Sequence, residues 1–154
     1  MPNTLQQFLA TAALKAADDL VTALHRLPED KRNWVPMGQA RSALDMVAEC
    51  AILNEQTRDL IQARVWPEDF DFAAYLNQKA EVAKDEPALL EMLKANTAKA
   101  ADAIREVPDS DLDIPIDMPW KVMAMSEILA YVYWNMSYHE GQINYIASML
   151  GCLE

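Results

Sequence analysis

The chain has 154 residues, 52% of them hydrophobic and 24% charged, which suits one domain with a single core and excludes a disordered chain. Three glycines against nine methionines disfavour sandwiches, barrels and Gly-rich phosphate loops, and two cysteines cannot build a disulfide framework. Thirteen basic and 24 acidic residues give a net charge of −11, which disfavours nucleic acid and anionic membrane surfaces as partners.

The opening stretch MPNTLQQFLA has neither the basic segment nor the apolar run of an export signal. Together with two free thiols this predicts a cytoplasmic protein. A first helix is expected from about Thr4 to Leu27, because Leu5, Phe8, Leu9, Ala12, Ala16, Leu20, Ala23, Leu24 and Leu27 step by three and four. Pro28 breaks it. His25, near its end, suits the negative end of the helix dipole. A linker from Pro28 to Pro36 follows and contains Trp34-Val35-Pro36. A second helix is expected from about Gly38 to Arg64, apolar around much of its circumference and therefore central. Trp66-Pro67 ends it. Phe70 to Lys84 reads as a mixed stretch, a short helix on a loop with Phe72, Ala73, Tyr75 and Leu76 against one end of the core.

The third long helix begins near Glu86-Pro87, with proline in the first turn. Its stripe is Leu89, Leu90, Leu93, Thr97, Ala100, Ile104 and Val107, and Pro108 stops it. From Asp102 to Asp117 there are six acidic residues and one basic, read as a solvated run. The loop from Asp109 to Pro119 is expected to be exposed, and no segment alternates like a strand. The last helix is expected from about Val122 to Leu150, with Ser126-Glu127 as a kink or false start and Gly151 just past its end. The nearly apolar stretch Ile128 to Tyr138 is too short for a bilayer, which needs about 20 residues. Asn135-Met136-Ser137 is a chance glycosylation match. Four long helices and no dividing linker predict an all-α four-helix bundle in a single domain spanning residues 1–154.

The last helix carries the chemical anomaly. With Val132 at zero on a helical wheel, Ile128, Ile143, Ile146 and Leu150 form an apolar stripe, to which Met149 is also assigned. His139 falls about 20° from Val132 and Asn135 about 60°, with Gln142 further round. A buried polar group needs a partner. Glu49 shares a face of the second helix with Met46, Leu53 and Leu60, which makes Glu49 and His139 natural partners. Asn135 and His139 stand one turn apart, the spacing at which a helix offers two ligands to one metal, and Glu49 would supply a third. The competing reading is a satisfied structural histidine. Cys50 reads as a small buried hydrophobe or, alternatively, a nucleophile whose histidine would be His139. Cys152 reads as a stray thiol. Tyr131, Tyr133, Trp134 and Tyr138 suit a pocket mouth, a dimer face or boundary packing. Met118, Met123, Met125, Met136 and Met149 read as core filler.

Tyr138-His139-Glu140-Gly141-Gln142-Ile143, followed by Leu150-Gly151, resembles the last-helix signature of the DinB/YfiT-like superfamily. Trp34-x-Pro36 and Arg41-Ser42-Ala43-Leu44-Asp45 resemble that family's lead into its second helix. The resemblance implies an up-down-down-up four-helix bundle, often dimeric, with zinc or nickel held by one histidine of the second helix and two of the last. It also implies activities such as metal-assisted thiol S-transfer. By position His139 matches the second histidine of the pair, Asn135 replaces the first, and Glu49 replaces the second-helix histidine, with Asn54 the other candidate. Two of the three family histidines are therefore absent from this chain.

Two functions remain open at this point. One is a non-catalytic bundle with a degenerate Glu49/Asn135/His139 site, working through dimerisation or small-ligand binding. The other is a divalent-metal-dependent enzyme of thiol S-transferase or hydrolase type, using Glu49 and His139 with help from Glu140 or Tyr138. A homodimer is expected, because the sequence after Lys121 has no Lys or Arg and leaves the last helix a weakly charged face.

Overall fold

The structure, a computed structural model, describes residues 4–154. The first three residues of the opening stretch lie outside the described residues. Five helices and one hairpin follow in order: α1 (Leu5–Arg26), α2 (Ala43–Ala63), α3 (Phe72–Val82), α4 (Glu86–Glu106), β1 (Pro115–Asp117), β2 (Val122–Ala124) and α5 (Met125–Met149). The long helices α1, α2, α4 and α5 form the bundle.

Each long helix packs mainly on two others: α1 and α2 both touch α4 and α5, and the pairs α1/α2 and α4/α5 are diagonal. Directions follow from contacts at the ends. Gln6 at the start of α1 bonds the Val107 carbonyl just past α4 at 2.9 Å, so α1 and α4 are antiparallel. Arg26 at the end of α1 meets Asn144 late in α5 at 2.7 Å, so these two run parallel. Asn54 and Thr97 pair in mid-helix, and Arg64 after α2 meets Asp111 after α4 at 2.6 Å, so α2 and α4 are parallel. The order is up-down-down-up, as the family resemblance implies.

Local chemistry explains where the sequence boundaries shift. The second helix starts at Ala43 and not near Gly38, because Ser42 caps it by accepting from the Asp45 N–H at 3.2 Å. Gly38 instead has φ +55° in the preceding loop, a conformation glycine adopts without strain. The last helix starts at Met125 and not at Val122. Residues 122–124 pair antiparallel with 115–117, with Ile116 opposite Met123. The loop expected to be exposed thus contains a strand whose Ile116 is fully buried, while its flanks Pro115 and Asp117 face water. Three-residue strands are too short for alternation to show in sequence. Glu127 is no kink: its carboxylate accepts from the Ala124 N–H at 2.8 Å and caps α5. The mixed stretch is an 11-residue helix, α3, capped by Asp71, whose carboxylate accepts from Ala74 N–H at 3.0 Å.

The core is a small-residue bundle interior, with nine alanines at 0% exposure on α1, α2, α4 and α5 alongside Leu20, Leu24, Val47, Ile104, Val132 and Ile143. Ala at helix interfaces lets axes approach closely while conserving helix propensity. Met125 and Met136 are core filler as expected, whereas Met149 is about half exposed. It stands about 100° from Val132 on the wheel and so falls off the stripe.

Candidate functional site

A polar cluster lies between α2, α3 and the second half of α5. Ser42 sets the register of α2, so Arg41, Asp45 and Glu49 follow one another at intervals of four residues along one face. His139 and Gln142 come from α5, one turn apart, and Lys79 and Tyr75 come from α3.

His139 is buried, and both of its ring nitrogens are engaged. Nε2 meets Glu49 Oε1 at 2.9 Å, and Nδ1 meets Gln142 Oε1 at 2.7 Å. With the amide placed so, both nitrogens donate, as in an imidazolium. With the amide turned over, Nδ1 accepts and Nε2–H still donates to Glu49. In either arrangement Nε2 carries its proton towards the carboxylate. Glu49 is engaged on its other side as well, since Arg41 Nη1 stands 2.7 Å from Oε2. Arg41 also binds Asp45 through Nε, and Lys79 Nζ reaches Asp45 Oδ1 at 3.0 Å. Two carboxylates therefore face two permanent cations.

Burial works to raise the Glu49 pKa, but the hydrogen bond from His139 and the charge of Arg41 outweigh it. The carboxyl is held below the ordinary value of 4.5 and stays ionised at neutral pH. Its neighbours are held in the opposite sense. Tyr131 is pushed up to about 12, first by burial and then by the Glu49 charge. Burial and Glu49 push Tyr75 up in the same way. Burial pushes the Cys50 thiol well above its usual range, so at neutral pH it is a thiol and a poor nucleophile.

Of the three residues singled out as ligands in the sequence, the structure joins Glu49 and His139 directly. Asn135, though buried one turn before His139, donates to Cys50 Sγ at 3.7 Å. Asn54 serves the α2–α4 interface, donating to Thr97 Oγ1 at 2.9 Å and lying 3.4 Å from Met136 Sδ. The donor set fits a divalent ion poorly. Both Glu49 oxygens already have partners, and the Glu49 and Asp45 carboxylates already face Arg41 and Lys79. Like unit charges about 4 Å apart repel by about 4 kcal/mol at an effective dielectric of ~20, and an ion on Glu49 would face Arg41 across a single carboxylate. Among the described residues no group of three or more His, Cys, Asp or Glu side chains is placed to hold a metal.

Arg41, Asp45, Lys79 and Tyr75 were not singled out as site residues by sequence reasoning. The signal for the first two is Ser42-x-x-Asp45, a helix-start pattern that puts Arg41 just outside the helix and on the Glu49 face. Nothing local signals Lys79, which reaches Asp45 only because α3 folds back on α2.

An open cleft lined by Pro36, Arg41, Tyr138, His139, Gln142 and Tyr145 gives access to this cluster. Trp134 and Tyr138 stack beside it with ring centroids 5.4 Å apart. His25 is exposed at the end of α1, with Nε2 3.7 Å from Glu86.

The fold is shared with two solved structures. YfiT from Bacillus subtilis, described as a probable metal-dependent hydrolase with an unusual four-helix bundle topology, superposes with a TM-score of 0.80 at 12% identity. The match covers 95% of this chain and 87% of YfiT. The DinB-like protein YjoA, also from Bacillus subtilis, gives a TM-score of 0.66 at 14% identity, over 95% of this chain and 94% of its own. At such identities the likeness is one of fold. No protein of curated function matches the sequence. The sequence profile of the DinB family spans residues 1–153, and the chain belongs to that family.

Proposed function

We propose that this chain is a metal-independent member of the DinB family, a non-catalytic bundle that binds a small ligand, with Glu49 and His139 serving as a structural pair. The observation that carries this reading is the double engagement of Glu49, by His139 Nε2 at 2.9 Å and by Arg41 at 2.7 Å. The protonated Cys50 thiol and the two neutral tyrosines support it, since none is an activated nucleophile or base at neutral pH.

Metal analysis of the untagged protein by mass spectrometry tests it. After reconstitution with zinc, nickel and manganese in turn, the expected content is well below one equivalent. A full equivalent that disappears in Glu49→Gln and His139→Ala would overturn the reading. The alternative is metal-dependent hydrolysis of the kind ascribed to YfiT. That function requires Glu49 and His139 to exchange their present partners for an ion, leaving Arg41 without its inner carboxylate.

Assembly belongs to the same proposal. Tyr138, Tyr145 and Met149 are 49–69% exposed along α5, and a two-fold dimer would cover them. Light scattering checks this: the expected mass is that of two chains, and a single-chain mass at all concentrations refutes it. No helix among the described residues is long and apolar enough to cross a membrane. Cys50 and Cys152 are both free thiols, which fits a reducing cytoplasm.

A further inference from the structure

Along the α2–α5 interface, beyond the polar cluster, lies a separate cavity of about 350 Å³. Four elements build it: the second half of α2, the segment after α2, the hairpin turn, and the first half of α5. Its walls carry two aromatic pairs. Trp66 and Trp120 meet edge-on with centroids 5.3 Å apart, and Tyr131 and Trp134 meet at 5.8 Å. Leucine, methionine and isoleucine side chains supply most of the remaining surface.

Electrostatics narrows the class of occupant. Among the described residues the only charged one in the lining is Lys121, and its ammonium sits 3.0 Å from the Glu127 carboxylate. No carboxylate among the described residues lines the cavity to attract a cation, and Lys121 is already paired with Glu127, so an anion gains little. Gln56, Thr57 and Tyr131 are the uncharged lining residues that carry an amide or hydroxyl group. Tyr131 stays protonated at neutral pH. Trp120 and Trp134, both in the lining, are 62% and 54% exposed as whole residues, so a ligand seated against them removes aromatic surface from water. The volume is at the lower end of the range for small-molecule pockets, roughly 300–1,000 Å³, which excludes a dinucleotide or a peptide.

We propose that this cavity binds a small neutral aromatic molecule, held by the two aromatic pairs and oriented by the polar groups of Gln56, Thr57 and Tyr131. The proposal rests on the small-ligand reading above and gives it a place and a chemical class.

Equilibrium dialysis of the full chain against three matched probes tests it: 2-naphthol, 2-naphthoate and 2-naphthyltrimethylammonium. The expected result is saturable binding of one 2-naphthol per chain, with each charged probe weaker by about tenfold or more. Trp120→Ala, at an exposed position, should keep the melting temperature and weaken 2-naphthol by about tenfold. Met123→Trp should fill the cavity and abolish binding; if that variant does not fold, Trp120→Ala decides alone. Absence of saturable 2-naphthol binding, equal or tighter binding of either charged probe, or unchanged affinity in Trp120→Ala would overturn the proposal. Metal content is measured separately. A full equivalent of zinc would sink the metal-independent reading and leave a positive naphthol result standing, whereas metal-free protein that ignores 2-naphthol sinks this proposal alone.

Discussion

Helix α2 presents polar groups on two sides, and it satisfies them differently on each. Towards α4 the groups are neutral and sealed. Asn54 donates to Thr97 Oγ1 at 2.9 Å, Thr97 donates to the Leu93 carbonyl at 2.7 Å, and Asn96 donates to the Ala51 carbonyl at 2.9 Å. Asn54 and Thr97 are each 1% exposed. Towards α5 and α3 the groups are ionised and only partly sealed, with Glu49 held between His139 and Arg41. A neutral hydrogen bond survives full burial because no ion has to leave water, whereas an ion pair needs residual hydration or several partners. The difference places accessible chemistry on the α5 side of α2 and a purely structural layer on the α4 side.

The largest expected break in that comparison comes from putting a charge on the sealed side. Asn54→Asp buries a carboxylate beside Thr97 and Met136, with no cation in contact among the described residues. Urea denaturation at pH 7 should show a loss of about 3–5 kcal/mol. The loss should shrink as pH falls and the carboxyl protonates. A loss under about 1 kcal/mol at pH 7 would mean that the α4 side admits ions as readily as the α5 side.

His139→Ala comes next in size. It leaves Glu49 with Arg41 alone in a half-buried site, and should cost about 1–3 kcal/mol. An unchanged melting temperature would show that the His139–Glu49 bond is not a structural element.

The pH profile gives a smaller effect whose sign is fixed. The Glu49 carboxyl is held below its ordinary 4.5. Its contribution to stability is complete above that value and is lost as pH falls below it, through the lower native pKa. Glu49→Gln should therefore flatten the stability profile below pH 4.5 relative to the parent, as followed by thermal melts across the acid range. An identical acid limb in both proteins would remove Glu49 as a contributor.

The smallest effect is at the edge of the cluster. Lys79→Ala removes one of two cations on Asp45, and the expected loss is about 0.2–1 kcal/mol. A larger loss would mean that α3 is held to α2 chiefly by this ion pair and not by its apolar contacts.

The long helices were legible because their apolar periodicity and proline breakers are local signals. Pro28 and Pro108 stop α1 and α4 within two residues of where the pattern puts them. Glu49 and His139 were legible for a related reason, each being a polar residue on an otherwise apolar helix face. The start of α2 was misplaced because apolar spacing says nothing about a capping hydroxyl, and that error hid Arg41, which stands just outside the helix. The hairpin was missed because three-residue strands leave no periodic trace.

What the sequence determined by itself is a DinB-like four-helix bundle and an imidazole and a carboxylate each turned towards its core. Only the tertiary structure decided what they meet. His139 and Glu49 are 90 residues apart in the chain, and Lys79 and Asp45 are 34 apart. A composition or a helical wheel fixes which face a side chain points to, but the partner across an interface depends on helix order, direction and axial offset. Those follow from packing the whole bundle. Here packing set Arg41 against Glu49, turned Asn135 to Cys50, and gathered Trp66 after α2, Trp120 of the hairpin turn, and Tyr131 and Trp134 of α5 around one cavity.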